Sequence, residues 1–497
     1  MMTSSFGCDR CRNAIRCGGS ITLLVLVFGA IFLIVLTALS GYILSQNRIE
    51  NVDRIKAEAF NIADAGLEYY RWHLAHFPTD LTNGTGGPGP YPVTIPDPQG
   101  GTAGTATLSI TANTACSQTT SIDITSVGTA AEDPSQPVTL VARYARPSIA
   151  SYDIVTNNAI WFGSDEIING PVHSNNGIHE DGPNNAPVTS SVSTWSCPSS
   201  LGCHGETENG VFGNGTNPNL WKFPVPQVDF AGIATDFSSL KTIAQSNGIY
   251  LPRYSSGNSN GTAYYKGYHL VFNAPDGAYP NGSVTITKVM PGKVSNVYLL
   301  DTSSYGTEYS LISNEAPYET VGIPSNCGLI FVEDNAWIEG TIPGKVTVVV
   351  ANVSNSGVVP EAYLRGNIEY ATSDGSDGFT LIAQHDVLIT PDSPQNLTLD
   401  GVYIAQTGSF GRNLYAFTSQ GCNGVYEPRN AFSIHGTIVA SLYENETWVI
   451  GQSCGSEQNA GYQTTDNYPD QALASNPPPF TPALSTDYEF VNWLQKQ

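Results

Sequence analysis

From Ser20 to Asn47 the chain runs without an ionisable side chain other than Tyr42. As a helix, residues 21–44 span about 36 Å, enough to cross the hydrocarbon core of a bilayer. The pattern then changes without a break. In NRIENVDRIKAEAFNIADAGLEYYRWHL (47–74), Ile49, Val52, Ala59, Ile62, Ala63, Gly66 and Tyr70 recur at helical spacing. Arg48, Glu50, Arg54, Lys56, Glu58 and Glu68 take other positions, which makes this half amphipathic. Pro78 supplies the stop. The spacing predicts one helix over 20–77.

Past a Pro/Gly-rich loop (78–100), the period falls to two. TATLSITA (105–112), SIDITSV (121–127) and VTLVARY (138–144) alternate apolar and polar positions. They predict a three-stranded antiparallel sheet within 78–147, on which the helix lies. From 148 to 470 an apolar-x-Gly-x-apolar pattern recurs around Gly170, Gly340, Gly366, Gly401 and Gly436. The last four glycines are spaced 26, 35 and 35 residues apart. Strands such as VTVVVANV (346–353), FTLIAQHDVLIT (379–390) and VYIAQTG (402–408) lie between them. Recurrence at that interval predicts stacked coils, a parallel β-helix or related solenoid. A β-sandwich with glycines in its hairpins meets the same five-residue pattern. Residues 471–497 read as an extended strap anchored by Phe480, Phe490 and Trp493. The fold class is mainly β with one long N-terminal α-helix.

Composition agrees with short strands and tight turns: 497 residues, 13% charged, with 49 Gly and 32 Pro. A net charge of −23 argues against a nucleic-acid partner. Arg10, Arg12 and Arg16 against Asp9 predict a cytoplasmic lead (1–19), with everything after residue 47 outside. Cys8, Cys11 and Cys17 fall in that lead; Cys116, Cys197, Cys203, Cys327, Cys422 and Cys454 fall outside, where disulfides form. Cys197–Cys203 is the expected local pair, and spacing leaves the other four open. Three thiols in so short a lead make a weak zinc site.

The basic lead, Gly18-Gly19 before a long apolar helix, and the run Ala59–Leu67 within KAEAFNIADAGLEYYR resemble the type IV pilin-like proteins, specifically the minor-pilin group with a PilX-type N-terminus. The resemblance covers residues 1–77 well and the next seventy loosely. It implies cleavage by prepilin peptidase between Gly19 and Ser20, with the glycine pair offering an unhindered backbone. It also implies a helix that leaves the inner membrane and packs with other pilin-like subunits through Leu24, Gly41, Ala59, Phe60, Ala63, Gly66 and Leu67. Leu24 stands where major pilins carry a glutamate, which points to a minor, priming or tip component. The outer domain would then face a surface glycan or protein receptor for adhesion, or prime assembly. The alternatives are an anchored surface protein that never enters a filament, and an envelope-tethered β-helical enzyme acting on glycans.

Catalytic motifs are scarce. The sequence holds no phosphate loop, dinucleotide glycine motif, zincin helix or nucleophile elbow. His173, His179 and His204, with Asp165, Glu166, Glu180 and Asp181, read as a solvated loop, and SDGSDG (373–378) as a turn without the distal glutamate of a calcium loop. Glu333, Asp334, Glu339, Arg365, Glu369 and Asp386 are the carboxylates and cation an enzyme would use. Trp161, Trp195, Trp221 and TAYYKGYHLVF (262–272) offer aromatic surface for glycan contact, though core packing accounts for most of them. The expectation is no enzyme, no cofactor and no metal.

Overall fold

The computed structural model describes residues 18–496, apart from 165, 231–235, 255–265, 355–356, 416, 419–420, 423–424, 455–456 and 486. The arginines and cysteines of the lead, Asp165, Tyr264 and Tyr265 lie outside the described residues, as do the side chains of Ser20, Cys422 and Cys454.

Helix α1 (Gly18–His76) is a single run of 59 residues. It closes where Phe77 N donates to His73 O (2.8 Å) ahead of Pro78. Its apolar stretch is exposed from Ile21 to Leu44. From Ile55 the inward positions are buried: Ala59, Ala63, Leu67 and Tyr70 are all 0% exposed. They cover an antiparallel sheet of five strands, ordered Tyr91–Pro96, Thr102–Ala115, Gln118–Ala130, Val138–Ala145 and Glu489–Lys496.

The two outer strands of that sheet correct the sequence reading. Tyr91–Pro96 was expected to be loop; its prolines, Pro92 and Pro96, sit on an edge, where a missing N–H costs no ladder bond. Glu489–Lys496, expected as part of a strap, pairs with Val138–Ala145 from the far end of the described chain. Alternation alone cannot announce such a partner.

The larger domain is a stack of parallel strands. One face runs, in spatial order, Ile249–Leu251, Leu329–Val332, Lys345–Val350, Gly378–Ala383, the end of Asn396–Ala405, the end of Arg429–Ala440, Ile154–Thr156, Val172–Ser174, Val188–Ser190 and Trp221–Lys222. Every pairing in it is parallel, as the solenoid reading expects and a sandwich does not. Spatial order departs from chain order, however: the first coils of the chain dock on the last one, through Ile154↔Ile438. Further parallel pairings, such as Ile338↔Leu364 and Leu399↔Ile434, close the coils around a common interior.

This face is apolar on both sides, as parallel sheets are. Val348, Val350, Leu381 and Ile438 point into the interior. Phe331, Val349, Ile382 and Val439 point out, beneath Leu240 and Ala244 of helix α2 (Phe237–Asn247) and the strap residues Phe480 and Leu484. Gly401 and Gly436 stack in register at a corner. A Cβ on Gly436 would lie 1.7 Å from Gly401 O, so the recurring glycine is a condition of coil spacing. A long hairpin (Ser283–Leu299, Ser304–Gly322) lies along another face, Val289 and Ile312 covering Trp337, Tyr363 and Leu388.

The two domains are fastened at two places. A disulfide joins Cys116, in the turn of the second hairpin of the small sheet, to Cys327 at the entry to Leu329–Val332. Beside it Cys116 N donates to Asn326 O (2.8 Å). The strap then crosses the solenoid, with Thr380 Oγ1 and Thr481 Oγ1 2.7 Å apart and Ile149 N donating to Pro482 O (3.1 Å).

Candidate functional site

The anchor helix meets its sheet through small residues. A Cβ on Gly66 would lie 2.6 Å from both Ala106 Cβ and Ser126 Oγ, and one on Gly128 would lie 2.1 Å from Ala59 O. Glycine on both elements brings the backbones into direct contact. Phe60 packs edge-on against Trp493 of the closing strand, with ring centroids 5.8 Å apart. At the helix end Asp80 accepts from Thr82 N (2.8 Å), Thr82 Oγ1 (2.6 Å) and Gly84 N (2.6 Å), with His73 Nε2 2.9 Å away. Those donors hold the Asp80 carboxyl well below the usual carboxylate range.

The residues assigned to subunit packing therefore divide. Ala59, Ala63, Gly66 and Leu67 face the chain's own sheet, so they are intramolecular core residues, which corrects that assignment. Leu24, 57% exposed, and Gly41, with nothing within 4 Å of its Cβ position, lie on the uncovered stretch. That exposed stretch, long and apolar enough to cross a membrane and continuous in one helix with the packed half, is the candidate functional surface.

The polar groups of the solenoid do not converge as the sequence grouped them. Glu333 takes Lys241 Nζ (2.8 Å) and Ser354 Oγ (2.8 Å). Asp334 accepts from the backbone of Tyr254 and Asn335. Glu339 binds His269 Nε2 (2.8 Å) and Arg365 Nη1 (3.0 Å), and Glu369 is exposed. Only Glu339 and Arg365 meet. His173 is held by Thr189 and Asn175, and His179 stacks between Trp161 and Phe212 with Nδ1 2.7 Å from Leu201 O. Cys197 and Cys203 are bonded to each other. SDGSDG is a turn in which Asp374 Oδ1 accepts from Ser376 N (2.9 Å). Trp195 and Tyr268 are buried, at 7% and 1% exposure, and serve packing rather than contact.

One cluster escaped the sequence reading: Glu361, His385 and Asp386 lie together at a corner of the coils. Its signal is the register Ala362↔Val387, which places Glu361 directly against Asp386 and becomes visible only once the coils are aligned. A cavity of about 580 Å³ also opens between the domains, lined by Asn113, Arg143, Asn326, Lys345 and Asn476. Arg143 is paired there with Asp123 (2.7 Å), and burial pushes Lys345 down to about 8 while its Nζ donates to Asp377 O (2.7 Å).

No family model matches the chain, and no curated protein does. Among solved structures it is similar to the competence-associated pilin ComZ from Thermus thermophilus, at 12% identity over 89% of this chain and 97% of that one, with a TM-score of 0.30. A likeness so slight bears no weight on function.

Proposed function

We propose that the chain is a pilin-like subunit whose apolar half-helix anchors it in a membrane and then packs with other such helices in a filament. One observation carries the reading: α1 is a single helix whose first half is exposed among the described residues and whose second half packs on a five-strand sheet. Burying Ile21–Leu44 needs lipid or neighbouring helices. In this reading prepilin peptidase cuts between Gly19 and Ser20, and the missing glutamate at Leu24 suits a minor component near a tip. The solenoid is carried outward for adhesion or for priming assembly. The separate engagement of Glu333, Glu339 and Asp386 supports a non-catalytic role for it.

Mass spectrometry of the mature N-terminus tests the proposal. A chain beginning at Ser20 and recovered in sheared surface fibres is the expected result. A chain retaining Met1 and confined to washed envelopes overturns it in favour of a plain anchored surface protein. Turnover of a polysaccharide panel, lost on Glu333→Gln or Glu339→Gln, overturns the non-catalytic part alone.

A further inference from the structure

Stacking of successive coils builds a polar column at one corner of the solenoid. Asn335, Glu361, Asp386 and Ser409 each stand one residue before a strand, and the pairings Ala336↔Ala362, Ala362↔Val387 and Val387↔Phe410 put them in line. Each coil ties to the next through this column. Glu361 N donates to Asn335 Oδ1 (2.9 Å), Asp386 N to Glu361 Oε2 (3.1 Å) and Ser409 N to Asp386 Oδ1 (2.6 Å).

One oxygen of each carboxylate is thus committed to backbone, and the other is left over. Both remaining oxygens turn to one atom: His385 Nδ1 lies 3.4 Å from Glu361 Oε1 and 3.2 Å from Asp386 Oδ2. Nδ1 is shut off from solvent, yet neither contact has hydrogen-bond geometry, so it has no hydrogen-bond partner. The two separations, 3.4 and 3.2 Å, are those between neighbouring ligand atoms around a tetrahedral ion with bonds of about 2.0–2.1 Å, the length of Zn–N and Zn–O ligation.

We propose that Glu361, His385 and Asp386 bind a divalent transition-metal ion of the zinc class. One imidazole and two carboxylates suit zinc or manganese, whereas calcium and magnesium take oxygen donors. The side chains of His385 and Glu361 are 27% and 25% exposed, so the cluster lies near the surface of the solenoid. Among the described residues, the other cluster of metal-ligand residue types, His179 with Cys197 and Cys203, is excluded because its sulfurs are spent in a disulfide. Bound metal would clamp two successive coils, since its ligands come from both.

The test is equilibrium dialysis of the full-length, untagged chain in detergent against micromolar Zn²⁺, with free thiols alkylated beforehand so that cysteines of the lead cannot compete. One equivalent bound, together with a zinc-dependent rise in the thermal midpoint, is expected of the wild type. His385→Ala and Glu361→Gln should each weaken binding by more than the roughly 10–100-fold that loss of an outer-sphere partner costs. Glu361→Gln keeps the side-chain shape, and an unchanged circular dichroism spectrum certifies its fold. A wild-type chain that takes up no zinc overturns the proposal. So does zinc uptake that both variants retain in full.

Discussion

Asp153 sits at the seam where the first coil meets the last, 2% exposed, with Ile438 N donating to its backbone oxygen (2.9 Å). Burial pushes its carboxyl up to about 7, against the hydrogen bond from Gly170 N and with a smaller push from Glu444. Between about pH 4 and 7 the folded chain therefore holds a proton that the unfolded chain has released, so stability falls as pH rises through that window. Three pKa units bound the effect at about 4 kcal/mol. Asp153→Asn should be more stable than wild type at pH 7 and gain nothing at pH 4. Denaturant midpoints at the two pH values check this, and an equal difference at both refutes it. At this scale the sequence was a poor guide. Glu333, Glu339 and Asp386 were singled out as acidic residues in strand-rich sequence, but which oxygen meets which donor depends on coil register. His385, central to the metal proposal, carried no local signal at all.

Elements were more legible, in proportion to how local their causes are. Helix α1 was readable because an apolar run and a 3.6-residue period lie along contiguous sequence, and three strands of the small sheet because alternation does. The edge strands Tyr91–Pro96 and Glu489–Lys496 were not, since prolines mask the first and a distant partner defines the second. The helix–sheet contact gives a sharp test. Gly66→Val pushes methyl groups into Ala106 and Ser126 and should cost about 2–3 kcal/mol of stability. Gly41→Val meets nothing within 4 Å among the described residues and should leave the unfolding midpoint where it was. Equal midpoints for the two variants would contradict the packing described for Gly66.

At the scale of the molecule, the glycine spacing anticipated stacked coils from Gly340 to Gly436 but not the reversal that docks Ile154 on Ile438, because repeats report period and not order. The cross-link between Cys116 and Cys327 was equally hidden: the two lie 211 residues apart, and spacing offered no pairing. Replacing both with serine should lower stability by about 2–4 kcal/mol. The small sheet should also become cleavable from the solenoid by limited proteolysis under conditions that leave the wild type whole. Identical digestion patterns would mean that the strap and the closing strand suffice to hold the domains.

The reversed stacking bears on how the chain is made. A nascent polypeptide emerging amino end first leaves the rim of Ile154–Thr156 bare until Ile438–Ala440 arrives, and the sheet over the anchor keeps an open margin until Glu489–Lys496 lies down beside Val138–Ala145. A product stopped short of either segment thus carries ragged β-edges that a protease or chaperone can recognise, and completeness of synthesis is written into the topology.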